Sequence, residues 1–363
     1  MSKVIISMPS KLGVGVVGLG AIGVVHARAL KELEQETGWI KLTAVVDQIK
    51  ARADEIGRQL GAKAYYTLDE LVKDPDVDVV TIATPSYLHA PQAIYAMEYH
   101  KHVIVEKPMA VTLAGAREMV MKAERNHVKL GVVFQERYAP DIIKAKSIIS
   151  SGGLGKVFLV EAKMMWWRDE RNYYNRDELA RSWRGMWETE GGGALTNQGI
   201  HTVDLMYWFG GEVSDVMGFY VNASHPTITV EDTAAAVLKY RSGALGSLAA
   251  SVSTQPSDFQ FRVIRVYGTE GQLEINDRVM TLLATNQGGV QRISPEAKRD
   301  TLTQTENLHK TLLRDFLNAL RDDKDFPING YEGMKSLEVI KAIYLSSNTG
   351  QAIKLPLNQV YVV

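Results

Sequence analysis

The segment Gly18-Leu-Gly20-Ala-Ile-Gly23 constrains this chain most, because of what flanks it. Val14-Gly-Val-Val17 reads as a short apolar strand running into Gly18. Ala21 to about Glu36 has helical spacing, with Ile22, Val25, Ala29 and Leu33 on one stripe. A strand, a glycine turn and a helix in that order are what a dinucleotide-binding loop requires. Gly18 allows the tight turn, Gly20 lets backbone approach a pyrophosphate, and Gly23 lets the helix pack on the sheet. The free N–H groups where the helix opens, at Ala21 and Ile22, would hold the phosphates together with the helix dipole. The next strand, Leu42 to Val46, ends in Asp47. An acid there accepts hydrogen bonds from a ribose and repels a 2′-phosphate, so NAD is expected rather than NADP. The competing reading is a glycine turn in an unrelated α/β protein, with Asp47 capping a helix or lying on the surface.

Strand-like and helix-like segments alternate from residue 13 to about 150. Helices are expected at Gln48–Leu60, Ser86–Tyr99 and Thr112–Asn126, and a small one after Thr67, where Thr67 and Glu70 have capping-box spacing. Strands are expected at Lys63–Tyr65, Val77–Ile82, His102–Val105 and Lys129–Phe134. This alternation predicts an α/β unit with a doubly wound parallel sheet. Right-handed crossovers would place the strand carboxyl ends on one edge, where ligands bind. Gly18, Asp47, Thr84-Pro85, Glu106-Lys107 and Gln135 all fall at such ends. Lys107 therefore puts an ammonium beside the reactive end of a nicotinamide, the layout of a dehydrogenase acting on an alcohol.

After a turn cluster, Ser151-Gly-Gly-Leu-Gly155, strands dominate. Phe158, Val160, Ala162, Met164 and Trp166 alternate as a strand with one buried face should. Further strands are expected at Ser214–Ala223, Asp232–Tyr240, Ala244–Thr254, Gln260–Tyr267 and Gln272–Ile275, and late helices at Thr305–Arg321 and Gly333–Ser347. Arg241-Ser-Gly243 reads as a hairpin turn, and residues 286–304 as a mobile polar hairpin or loop. The division expected is 1–136 for a nucleotide-binding unit and 137–363 for a substrate-binding α+β unit on a large, mostly antiparallel open sheet. Such a sheet has a second face to cover, so a homo-oligomer (dimer, tetramer or higher) is expected through it.

Composition narrows the partners. Net charge is −1, which gives no electrostatic case for nucleic acid or an anionic membrane. The absence of cysteine excludes disulfides, thiolate metal sites and a cysteine nucleophile, and is compatible with a reducing cytoplasm. Met1 to Ser10 is too short and too weakly apolar for a signal peptide. No stretch approaches the ~18 apolar residues of a membrane span. A cytoplasmic protein is expected.

Residues 183–204 form a second chemical cluster. Three glycines, Gly191 to Gly193, precede a helix-like segment carrying Asn197, His201 and Asp204. Asn197 and His201, four apart, would share a helical face, and Asp204 would orient the imidazole. A histidine is the natural general base for a hydroxyl proton. Trp166, Trp167, Arg168, Tyr173, Tyr174, Trp183 and Arg184 add aromatic faces and donors suited to a sugar ring. The competing reading is a buried structural histidine among core aromatics. A metal on His201 and Asp204 lacks further ligands at convincing spacing, so none is expected. His100 and His102 read as surface residues.

Taken together, these motifs resemble the glucose–fructose oxidoreductase, inositol dehydrogenase and rhizopine-catabolism (Gfo/Idh/MocA) family over nearly the whole chain. The resemblance rests on the glycine fingerprint, Asp47, Thr84-Pro85-Ser-Tyr-Leu-His89, His102-Val-Ile-Val-Glu-Lys-Pro108, Arg137 within Gln-Glu-Arg-Tyr-Ala-Pro140, and Gly191 through His201 to Asp204. It implies a Rossmann domain followed by an α/β domain, with Lys107 and His201 as the catalytic pair and Glu106 and His89 near the nicotinamide. Many members have an aspartate where this chain has Asn197, and asparagine cannot carry that charge. Some members acting on UDP-N-acetylglucosaminuronate resemble it in this, and members oxidising glycosides at ring carbon 3 are another kin group. The expected reaction is NAD-dependent oxidation of a secondary hydroxyl of a pyranose, glycoside or cyclic polyol. Lys107 would stabilise the alkoxide, His201 would take the proton, and Asn197 would orient substrate or histidine. Arg137, Trp166, Tyr173, Tyr174 and Arg184 are the expected substrate contacts. Rival readings are a redox-neutral enzyme that recycles tightly held NAD, a reductase running from carbonyl to alcohol, and a silent NAD-binding sensor.

Overall fold

The structure, a computed structural model, describes residues 11–292 and 301–358, without the side chains of 301–306. Met1 to Ser10 and residues 293–300 of the expected polar loop lie outside the described residues.

The first sheet holds β1 (Leu12–Val17), β2 (Ile40–Val46), β3 (Lys63–Tyr65), β4 (Val79–Ile82), β5 (His102–Val105) and β6 (Leu130–Val132), all parallel, in the order β3-β2-β1-β4-β5-β6. β1 and β4 are buried along their whole length, as strands covered on both faces must be. The order reverses between β1 and β4, which opens a crevice beyond their carboxyl ends. Thr67 and Glu70 close the expected capping box. The first helix, Ala21–Thr37, buries Gly23, His26, Ala27, Ala29, Leu30 and Leu33. Ile22, expected on that buried stripe, is exposed and lines the crevice instead.

The second sheet holds β7 (Val157–Met165), β8 (Val213–Val221), β9 (Thr233–Tyr240), β10 (Leu245–Ser251), β11 (Phe261–Gly268), β12 (Gly271–Asn276), β13 (Val279–Thr285), β14 (Gly289–Arg292) and β15 (Ile353–Lys354), in the order β14-β13-β12-β11-β7-β10-β9-β8-β15. It is antiparallel except where β7 meets β10. The β13–β14 hairpin takes up the start of the expected 286–304 loop. β9 alternates strictly: Ala234, Ala236, Leu238 and Tyr240 are buried, while Val237 is 57% exposed. The helices Ile200–Gly210 and Gly330–Thr349 cover the buried face. On the other face Phe219 and Leu245 stand exposed beside Val237, and Phe261 is exposed farther across the sheet on β11. The chain also folds back: the late helix Thr301–Arg321 packs against the first helix, and Asn329 bridges to Gly131 on β6.

Candidate active site

A cleft of about 580 Å³ runs along the carboxyl edge of the first sheet. Its lining begins with Gly18, Gly20, Ala21, Ile22 and Asp47, continues through Thr84, Pro85, His89, Glu106 and Lys107, and ends at Arg184 and Asn197. The glycines fit a dinucleotide for separate reasons. Gly18 has φ +86°, a left-handed turn. A methyl group on Gly23 would lie 1.7 Å from the Gly18 carbonyl oxygen, so only glycine lets the helix start this close. A methyl group on Gly20 would meet nothing within 4 Å, so backbone borders the open cleft there. Asp47 is fixed beside this turn: its carboxylate accepts the Leu19 N–H at 2.9 Å, the Ile49 N–H at 2.8 Å and Arg52 Nη1 at 3.1 Å.

The far end of the cleft joins the two sheets. Half-buried Lys107 donates through Nζ to the backbone oxygen of Asn197 at 2.9 Å. Burial lowers its pKa; the nearby carboxylates of Glu106, Glu190 and Glu136 oppose that shift, and Arg184 adds to it. Residues 194–199 form a wide π-helical turn that leads into the helix Ile200–Gly210. Asn197 directs its amide to Glu190, through Nδ2, and to the Tyr173 hydroxyl at 3.3 Å. His201 packs edge-on against Phe134. Burial pushes its pKa down to about 3; Lys107 and Arg262 act in the same direction, against Glu136 and Glu106. The imidazole is therefore neutral at ordinary pH, and Nδ1 is buried without a hydrogen-bond partner among the described residues.

Several expected roles change. Asp204 does not orient His201. Its carboxylate takes both arms of Arg137, at 2.8 and 2.6 Å, and the Ser336 hydroxyl at 3.2 Å. Arg137, expected at the substrate, is buried between Asp204 and Glu332 because a guanidinium so far from water needs carboxylates on it. Tyr174, also expected at the substrate, is buried in a small core with Ile228 and Val230. Trp166 stacks under Arg168, away from the cleft lining. His89 does border the cleft, but its ring nitrogens lie 2.7 Å from the Pro108 carbonyl and 2.8 Å from that of Thr84, so it ties two loops together. Glu106 accepts from His26 at 3.1 Å and from the Lys107 N–H at 3.1 Å. Gln135 is buried outside the cleft lining, with Oε1 unpartnered among the described residues. His102, expected on the surface, is half-buried and accepts the Lys129 N–H at 2.9 Å.

Arg184 lines the cleft, and Tyr173 stands behind it, outside the lining. The Arg184 guanidinium lies 4.4 Å from both the Tyr173 and the Trp183 rings, and Nη1 donates to the Tyr173 hydroxyl at 2.6 Å. Glu190, Glu136 and Arg262 were not singled out by sequence reasoning. The only local signal for Glu190 is an acid directly before Gly191. Among the described residues, His26, Glu106 and His309 bring potential metal-ligand atoms within 4.8 Å of one another. His26 is already bonded to Thr81 at 2.7 Å and to Glu106, so the group reads as a hydrogen-bonded lock between the first helix and the late helix.

Comparison with known proteins agrees with this geometry. The Gfo/Idh/MocA profile described as an oxidoreductase family with an NAD-binding Rossmann fold matches residues 12–134, and its C-terminal alpha/beta domain matches residues 146–355. The scyllo-inositol 2-dehydrogenase (NAD(+)) of Bacillus subtilis is 28% identical over 98% of this chain and 99% of its own. Levoglucosan dehydrogenase of Pseudarthrobacter phenanthrenivorans is 27% identical over 76% of this chain and 77% of its own. The crystal structure of WlbA dehydrogenase from Bordetella pertussis, solved with NADH and UDP-GlcNAcA, superposes with a TM-score of 0.84 at 29% identity, covering 96% of this chain and all of that one. With both domain profiles matched and the fingerprint, Asp47 and Lys107 lining one cleft, the chain belongs to the Gfo/Idh/MocA family of NAD-dependent oxidoreductases.

Proposed function

We propose that this enzyme oxidises a secondary hydroxyl of a pyranose sugar, glycoside or cyclic polyol to a ketone. One observation carries the reading: Lys107, from the end of β5, is held 2.9 Å from the Asn197 backbone, four residues before His201, in the cleft that begins at the glycine fingerprint. Bound NAD supplies the hydride acceptor. Gly18, Gly20, Ala21 and Ile22 would hold its phosphates, and Asp47 a ribose. Lys107, as ammonium, donates to the reacting hydroxyl and stabilises the alkoxide that forms. His201, held neutral by its burial, is in the form that accepts the proton. Asn197 positions the lysine through its carbonyl.

The aromatic and cationic mouth at Trp183, Arg184 and Arg176 also favours a second reading, a substrate carrying negative charge such as a nucleotide sugar acid. The WlbA relative, solved with UDP-GlcNAcA, gives it weight. The two readings separate on a panel of inositols, sugars, glycosides and nucleotide sugars, scored for keto product by mass spectrometry and for NADH absorbance. Product without NADH would instead indicate cofactor recycled in place. No product on any member of the panel would sink both readings.

We also propose that residues 1–136 serve the cofactor and 137–363 the substrate and assembly, in the cytoplasm. The exposed side chains of Phe219, Val237, Leu245 and Phe261 support assembly through the open sheet face. Light scattering on the purified protein tests it; a monomer at micromolar concentration would rule it out.

A further inference from the structure

We propose that Glu190 is the counter-ion and positioning residue of the Lys107 ammonium, acting through Asn197. The inference rests on Lys107 being the group that meets the substrate hydroxyl. A desolvated ammonium needs a compensating anion. Three carboxylates surround Lys107, and two are committed elsewhere. Glu106 takes His26, His309 and the Lys107 backbone N–H. Glu136 lies 2.6 Å from Arg262 and 3.6 Å from Arg278.

Glu190 remains. It is fully buried, yet it sits directly before the glycine run that opens the site. Oε2 accepts the Gly185 N–H at 2.6 Å, which fixes the carboxylate plane. Oε1 accepts Asn197 Nδ2, and the nearest cation to it is Arg184 Nη1 at 3.8 Å. The other end of the Asn197 amide, Oδ1, takes the Tyr173 hydroxyl at 3.3 Å and Gln198 Nε2 at 3.0 Å. The amide is thus clamped at both ends, and the backbone oxygen of the same residue holds Lys107 Nζ. Glu190 therefore acts on the lysine twice. Its charge favours the ammonium, and its grip on Asn197 fixes the carbonyl that aims it. The charged groups facing Lys107 are Glu106, Glu136, Glu190 and Arg184, with His201 close by. Those facing Glu190 are Arg184, Lys107 and the Tyr173 and Tyr174 phenols. Removing Glu190 leaves the pairs of Glu106 with His26 and of Glu136 with Arg262 intact, at the loss of its own 3.8 Å contact to Arg184.

The test is a titration of the NAD-bound enzyme labelled with 13Cε-lysine, with the Lys107 resonance assigned as the one missing from Lys107→Arg. In Glu190→Gln the Lys107 pKa should fall by about one unit, while Glu190→Asp stays near wild type and NAD affinity is unchanged. The alkaline limb of turnover should move to lower pH by the same amount. A Lys107 pKa unchanged in Glu190→Gln overturns the proposal. Should Glu190→Gln fail to fold, the wild-type resonance carries the test: it must shift a second time at the acid pH where Glu190 protonates, and a single-step curve overturns the proposal. If the coupling appears but Lys107→Ala keeps full turnover, the counter-ion assignment stands and the alkoxide role of Lys107 is wrong.

Discussion

Replacing Arg137 with methionine separates a structural role from a substrate contact. The guanidinium sits between Asp204 and Glu332, with side-chain exposures of 6%, 2% and 19%. Methionine has similar length, so the change removes charge and donors more than volume. Among the described residues, it leaves the buried Asp204 carboxylate with only the Ser336 hydroxyl at 3.2 Å. Breaking one side of a buried ion pair costs about 3–5 kcal/mol. With an unfolding entropy of ~2.1 cal/mol/K per residue, the 363 residues give ~0.8 kcal/mol/K, so Tm should fall by about 4–7 °C. The assay is thermal unfolding of Arg137→Met, Asp204→Asn and the double variant. The double variant should lose less than the sum of the single ones, because the unpaired charge disappears with its partner. KM for the substrate in the folded enzyme should stay within about twofold, well under the tenfold that 1.4 kcal/mol represents. A Tm within about 1 °C of wild type, accompanied by a large rise in KM, would refute this account and return Arg137 to the substrate.

Three further outcomes follow from the site. His201→Ala should lower kcat by about 10²–10⁴-fold while NADH fluorescence titration gives an unchanged Kd; near-normal turnover would remove His201 as the base. Asp47→Ala should narrow the preference for NAD over NADP, measured as the ratio of kcat/KM values, and a wild type that already prefers NADP would contradict the role given to this acid. The third concerns acid stability. Folding lowers His201 to about 3 and His102 to about 4, from an ordinary 6.5. Below pH 6.5 the unfolded chain binds protons that the folded chain refuses, so stability must fall as pH drops toward those values. The slope is about 1.4 kcal/mol per pH unit for each histidine. Urea midpoints at pH 7 and pH 5 should differ, and His102→Gln should reduce the difference; equal midpoints would mean these histidines are not held neutral.

Much of the framework was legible before any coordinates. The strand–glycine–helix order, the six parallel strands and the placement of Asp47 and Lys107 at strand ends all follow from local patterns, because pleat and helix periodicities are set by neighbours a few positions away. The same reasoning drew Ile22 onto an apolar stripe without saying whether core or cofactor cleft lies opposite, and it is the cleft that Ile22 lines. It also carried one regular helix through Asn197, which lies in a wider turn before the helix that holds His201.

Local pattern alone thus settles the cofactor edge: which residues stand where strands end, and that a lysine is among them. The tertiary structure decided which polar groups are spent on one another. Arg137 finds Asp204 67 positions away, His89 ties Thr84 to Pro108, and Glu190 reaches Lys107 through Asn197. Buried charges must be paired wherever the fold brings partners together, and no local periodicity encodes that pairing.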